Sequence, residues 1–288
     1  MIEVQSNKKT GVFKTFFPNG KIRSEKRYVN GKLEGESFVY HENSNLIQQI
    51  NYKNNKREGL ARLFWITGII KIEMNFVNNV QHGITKYYFE DGQLKSEINY
   101  ENGLKNGHAK LFYPSGTLKR DEELKDGLKE GITTTYYKSG SIKGVWNYKN
   151  GVPDGESKFF YESGKLLGVK NFERGKENGA TKIFYEDGTP KEEVVYRSGA
   201  KIGEIRSYNP DGSLKAVFKF ENGKKIDVLA KRKIEEEQKS EKEIQKPKER
   251  KREKSKSSQK SFFEKNRTIV ILATIIFIII LLLLLYVF

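Results

Sequence analysis

A glycine recurs every 24 residues without insertion or deletion, at Gly11, Gly35, Gly59, Gly83, Gly107, Gly131, Gly155, Gly179 and Gly203. Nine copies of one unit therefore occupy residues 11–226. A fixed period of this size is the mark of a repeat architecture, in which each unit is one supersecondary element packed on its neighbours. It also ranks every residue: a side chain that returns in the same slot is first a part of the unit.

With the marker glycine as slot zero, slot five is aromatic in every unit, from Phe16 and Tyr40 to Phe184 and Tyr208. Slot nine is glycine except at Ser44, and slot seventeen is aromatic except at Leu124. Slot twenty holds only glycine or asparagine, with Asn55 and Asn79 the two asparagines. These residues tolerate positive φ, so slot twenty is expected in the left-handed region. Two turns per unit follow. The first, as in Tyr113-Pro114-Ser115-Gly116, suits a three-residue hairpin closing on a left-handed glycine. The second carries pairs such as Asn30-Gly31, Asn102-Gly103, Asp126-Gly127 and Asn222-Gly223, the strongest short hairpin signal. Between them lie short runs rich in β-branched and aromatic residues. The fold expected is all-β, an elongated antiparallel array of nine 24-residue hairpins.

The hairpin register sets slot five opposite slot eleven, and the simplest alternation puts both on one packed face with slots fifteen and seventeen. The opposite face is then expected to carry slots six, twelve and fourteen. Slot six supplies Trp65, Phe89, Tyr113, Tyr137, Tyr161 and Tyr185; slot twelve supplies Lys71, Lys95, Lys119, Lys143 and Lys191. These eleven residues are the candidate binding face. Aromatic rings interleaved with lysine can stack bases or meet anionic headgroups. Slot-fourteen carboxylates, such as Glu73 and Glu97, are expected to neutralise that face, which makes nucleic acid a poor partner. Pro190 is expected to mark a local irregularity.

No catalytic arrangement emerges. His41, His82 and His108 fall in different slots, without metal-ligand spacing. Carboxylate pairs such as Glu90-Asp91 sit in turns, where aspartate serves turn geometry. No phosphate loop or nucleophile elbow is present, so neither an enzyme nor a cofactor is expected. Without cysteine there is no disulfide and no thiolate site, in keeping with a reducing compartment.

The chain divides into residues 1–10, a half-unit cap; 11–226, the repeats; 227–267, a basic charged linker; and 268–288. Residues 229–267 hold 15 Lys/Arg and 8 Glu, net +7 of the whole-chain +16. That composition predicts a flexible tether, transiently helical around residues 234–245 and interrupted at Pro247. Thr268 to Phe288 runs 21 residues without a charge. As a helix it is about 31 Å long, enough to cross a bilayer. A single-pass tail anchor is expected, with Lys256, Lys260, Lys265 and Arg267 on the near side placing the repeats in the cytoplasm. The basic stretch Lys248–Lys256 would lie where anionic headgroups attract it.

The unit Gly-x4-Tyr-Tyr-x-x-Gly-x-Leu-Lys-x-Glu-x-x-Tyr-x-Asn-Gly-x-x-x, clearest from Gly83 to Asn106, resembles the MORN-variant repeats of bacterial proteins. It is also similar to the related repeats often described as antitoxins of toxin–antitoxin pairs. The resemblance implies a hairpin array and a protein-binding role, as a scaffold or as a neutraliser of a partner toxin. The Gly-x-Gly that follows His-Gly in eukaryotic MORN repeats is absent, since His82-Gly83 continues as Ile84-Thr85. Lipid binding by the repeats themselves is therefore not implied, and no catalytic residue is carried over.

Overall fold

The computed structural model describes residues 9–221 and 224–286, with side chains excepted at 220–221, 242–251, 253 and 285–286. It divides into two units, residues 1–224 and 225–288.

The first unit is a single antiparallel sheet in which strands pair in sequence order, from β1 (Gly11–Phe16) onward. Both turns form as the sequence predicts. At the second turn, Asn30 and Gly31 have φ of 50° and 81°, the two left-handed positions that let a two-residue turn follow the strand twist. Asn55 and Asn79 take φ of 67° and 71° in the glycine slot, and Ser44 takes 72° in slot nine. The departures from consensus thus keep the consensus backbone. The Asn222-Gly223 turn lies outside the described residues. At the first turn the slot-nine amide donates to the slot-six carbonyl, as from Gly116 to Tyr113 at 2.9 Å. The slot-eight carboxylate or amide accepts from the slot-ten amide, as Asp187 does from Thr189 at 2.8 Å.

Successive units are tied at their second turns. The slot-twenty amide donates to the slot-22 carbonyl of the unit before, for example Gly127 to Lys105 at 2.8 Å and Gly151 to Lys129 at 2.9 Å. Lys9 accepts from Gly31 in the same way at 2.7 Å. Residues 1–8 of the expected cap lie outside the described residues.

The two faces are not distributed as simple alternation predicts. In every unit the ladder skips one residue at slot twelve, so that Thr15 pairs Ser24 but Phe16 pairs Ile22. The same shift recurs at Phe64 and Ile70 and at Tyr136 and Ile142. Such a bulge reverses the side-chain parity beyond it. Slot five therefore joins slots three and fourteen: Tyr208 Oη donates to Glu193 at 3.1 Å, and the Phe38 and Tyr40 rings lie 6.5 Å apart. Slots six and twelve join the packed face, which carries slots two, four, thirteen, fifteen and seventeen. Pro190 begins its strand opposite Phe184 in the register of the other eight units, so it adds no irregularity of its own.

The core of this single layer is a row in which a small slot-two residue alternates with a larger slot-fifteen residue across neighbouring strands. Ala61, Thr85, Ala109, Thr133 and Ser157 are all at most 2% exposed. Their neighbours in the row include Ile50, Met74, Ile98, Glu122 and Trp146. Glu122 is the one carboxylate buried there, and Arg120 Nε and Lys129 Nζ each reach it at 3.1 Å. Trp146 packs edge-on against Phe159, ring centroids 4.7 Å apart.

The second unit contains α1 (Val228–Tyr286), 59 residues long. Asp227, in the slot a tenth unit would give to glycine, caps it by accepting from the Leu229 and Ala230 amides at 3.0 and 3.1 Å. The helix runs without a break through residues 228–267, where the sequence predicts a mostly flexible tether, and through Pro247. The segment lacks glycine, and four-residue spacings of opposite charge such as Arg232 to Glu236 and Lys239 to Glu243 favour helix. Within α1, residues 254–284 contain an 18-residue stretch of mean hydropathy 3.0, long and apolar enough to cross a membrane. Phe288, named above as an anchor end, lies outside the described residues; Thr268 lies within α1.

Candidate binding face

Slots six and twelve meet as ring and cation in six of the nine units. The Lys71 ammonium stands 4.3 Å from the Trp65 ring centroid. Lys95 stands 5.6 Å from Phe89, Lys119 5.5 Å from Tyr113, Lys143 5.4 Å from Tyr137 and Lys191 5.2 Å from Tyr185. Tyr161 has no such cation, because Leu167 fills slot twelve of its unit. The bulge at slot twelve brings the lysine over the ring, whose π face attracts it.

The rings also have a structural task. Tyr113, Tyr137, Tyr161 and Tyr185 each donate to the slot-five carbonyl of the next unit, at 2.8–2.9 Å. Of the aromatics expected as a free stacking surface, the four tyrosines are thus half-buried staples, Trp65 and Phe89 are half-buried without such a bond, and the lysines above the rings are exposed.

The expected neutralisation by slot-fourteen carboxylates does not occur on this face. Those carboxylates lie on the other side and pair with slot three: Lys14 with Glu25 at 3.0 Å, Arg62 with Glu73 at 2.9 Å, Lys86 with Glu97 at 3.5 Å. The signal was present, since slot three is basic at Lys14, Arg62, Lys86, Lys110, Lys158, Lys182 and Arg206. Phenols border this ladder. Burial first, and then the Glu73 carboxylate, push the Tyr88 hydroxyl above its ordinary value. Burial and then Glu25 do the same at Tyr40.

Hollows mark both faces. On the charge-ladder face they recur at equivalent slots, about 320 Å³ beside Glu97 and Lys110 and about 400 Å³ beside Lys182 and Glu193. Acid and base face each other in both. On the packed face a hollow of about 300 Å³ is lined by Trp65, Lys71, Ile72, Tyr87, Tyr88, Lys95, Ser96, Ile98 and Lys105, with no carboxylate among them. Among the described residues, no cluster of three or more His, Cys, Asp or Glu is placed to hold a metal ion. His108 Nδ1 lies 3.3 Å from Asp121.

No curated protein matches the chain. Solved structures similar to parts of it include the crystal structure of TcdB2-TccC3, at 11% identity and TM-score 0.15 over 75% of this chain. Another is TcdB2-TccC3-Cdc42, at 11% identity and TM-score 0.15 over 74%. The chain spans only 16% and 15% of those chains. The family described as MORN repeat variant matches residues 9–30, 33–54, 81–102, 105–126, 129–150, 153–174 and 177–198, together more than half of the chain. Units three and nine, which fall outside those stretches, keep the same hairpin register. The hairpin array is a repeat scaffold, and the chain belongs to the MORN repeat variant family.

Proposed function

We propose that this protein is a non-enzymatic scaffold, held in a membrane by α1 as a single-pass anchor, whose repeats bind a protein partner on the cytoplasmic side. The observation that carries this reading is the joining of a repeat scaffold to an apolar helical stretch none of whose residues is buried in the protein. An apolar helix of that length is stable in a bilayer and costly to expose to water. The basic flank of Lys256, Lys260, Lys265 and Arg267 supports the cytoplasmic orientation. The basic residues from Lys248 to Lys256 add attraction to anionic headgroups, by up to about 1 kcal/mol each near the surface.

The test is made in membranes from cells expressing the full chain. After a high-salt and alkaline wash the chain should stay in the pellet, and deletion of residues 268–288 should release it. Protease added to right-side-out vesicles should leave the repeats intact, and should degrade them once the vesicles are opened. Degradation in sealed vesicles would refute the orientation, and release by salt alone would refute the anchor.

A further inference from the structure

We propose that Lys71, Lys95, Lys119 and Lys143 form a docking stripe for an extended acidic segment of a partner protein, bearing a carboxylate at every third residue. This deepens the scaffold reading and rests on it. The four lysines occupy slot twelve of four consecutive units, all are exposed, and none forms an ion pair among the described residues. On the opposite face, by contrast, Lys14, Lys86 and Lys182 are matched to carboxylates across the strands. Each stripe lysine is held over an aromatic ring, so less side-chain freedom remains to be lost on binding. Between the first two lies the hollow floored by Ile72 and Ile98, whose lining carries positive charge only. The first turns beside the stripe carry carboxylates in one unit alone, Glu90 and Asp91, and Asp91 is engaged with the Gln93 amide.

Spacing selects the ligand. One unit is two strands, so neighbouring lysines recur at about 9.4–9.8 Å across the sheet. A polyproline II segment rises about 3.1 Å per residue with three residues per turn, and presents the same face every 9.3 Å or so. A β-strand repeats its face at about 6.6–6.8 Å, and a helix returns after seven residues at about 10.5 Å. Phosphates of one strand of a duplex rise about 3.4 Å each along its axis, and every third returns at about 10.2 Å. The polyproline II period stays most nearly in step with all four lysines.

The experiment uses the full chain in uncharged detergent micelles and fluorescein-labelled, end-blocked peptides at low salt. The probe is four Glu-Pro-Pro triplets, and the controls carry four glutamates at every second or every fourth position. The triplet peptide should bind at least about tenfold more tightly than either control, from four exposed pairs acting together. Lys71→Gln, Lys95→Gln, Lys119→Gln and Lys143→Gln combined should remove that preference, whereas Lys125→Gln with Lys149→Gln, on the second-turn edge, should not. Lys95→Glu alone, should the combined variant melt early, is expected to weaken triplet binding several-fold. Equal affinity at all spacings, or binding indifferent to these lysines, would overturn the proposal. So would silent peptides with lysine-dependent binding to phosphatidylserine vesicles or to an oligothymidine strand. A partner that cross-links to the combined variant as well as to the natural chain would overturn the stripe and leave the scaffold reading standing.

Discussion

The Tyr137 hydroxyl reaches across a whole unit to donate to the Phe160 carbonyl at 2.8 Å, while Lys143 stands 5.4 Å from the same ring. One side chain thereby links the cohesion of the array to its charged surface. Tyr137→Phe removes the hydroxyl alone and should cost about 0.5–1.5 kcal/mol, the usual net worth of such a bond. Denaturant unfolding in micelles measures the cost. Binding of the acidic triplet peptide should be unchanged, because the ring and its lysine remain.

Gly103 has φ of 81° in the second-turn slot where Asn79 stands at 71°. Gly103→Val should destabilise the array by about 1–3 kcal/mol, since a β-branched residue is strained there. Gly103→Asn should stay within about 0.5 kcal/mol of the natural chain, as asparagine tolerates the region. Equal melting of the two variants would contradict the turn assignment.

Gly168 makes a different demand, since its backbone is not left-handed. A Cβ there would lie 2.7 Å from Ile183 Cδ1 and 2.8 Å from the Lys182 carbonyl oxygen. Gly168→Ala must push a neighbouring strand and should cost about 1–3 kcal/mol. At Gly144, in the same slot one unit earlier, the nearest atom is 3.3 Å away, and Gly144→Ala should cost less. Thermal melts that ranked the two in the opposite order would overturn this account.

Glu122 is buried and met by Arg120 and Lys129. Glu122→Ala leaves two cations without their acid, but both are partly exposed and can turn to water, so a loss of about 1–2 kcal/mol is expected, below that of a fully buried pair. Adding Arg120→Ala or Lys129→Ala should recover part of it, a coupling that a double-mutant cycle reads directly for each pair.

Several phenols titrate late. Burial raises Tyr100 above the ordinary tyrosine value, helped by its contact with Tyr87, and burial followed by neighbouring carboxylates raises Tyr88, Tyr196 and Tyr208. A phenol with a raised folded-state value holds its proton longer when folded than when unfolded. Its contribution is therefore complete below about pH 10 and is lost as the pH rises beyond. The unfolding midpoint should fall steadily above about pH 10, and absorbance titration should show these phenols ionising after the exposed ones.

The repeat, both turns and the apolar end of α1 were legible from residues alone, because each depends on local chemistry. Glycine or asparagine in slot twenty reports a left-handed backbone wherever the chain goes, and 21 uncharged residues in a row report an apolar helix in any setting. Which way each side chain points was not local. The ladder skips slot twelve, and that one residue transfers slots six and twelve to the packed face and slot five to the ladder of charges. Nothing in the unit announces a bulge, which forms where two strands accept a mismatch in length between two turns of set geometry. Slot three, basic in seven units, could have shown where the slot-fourteen glutamates find their partners. The sequence by itself determined the hairpin and its count; pairing between strands decided the faces, and with them which lysines are neutralised and which are left to meet a partner.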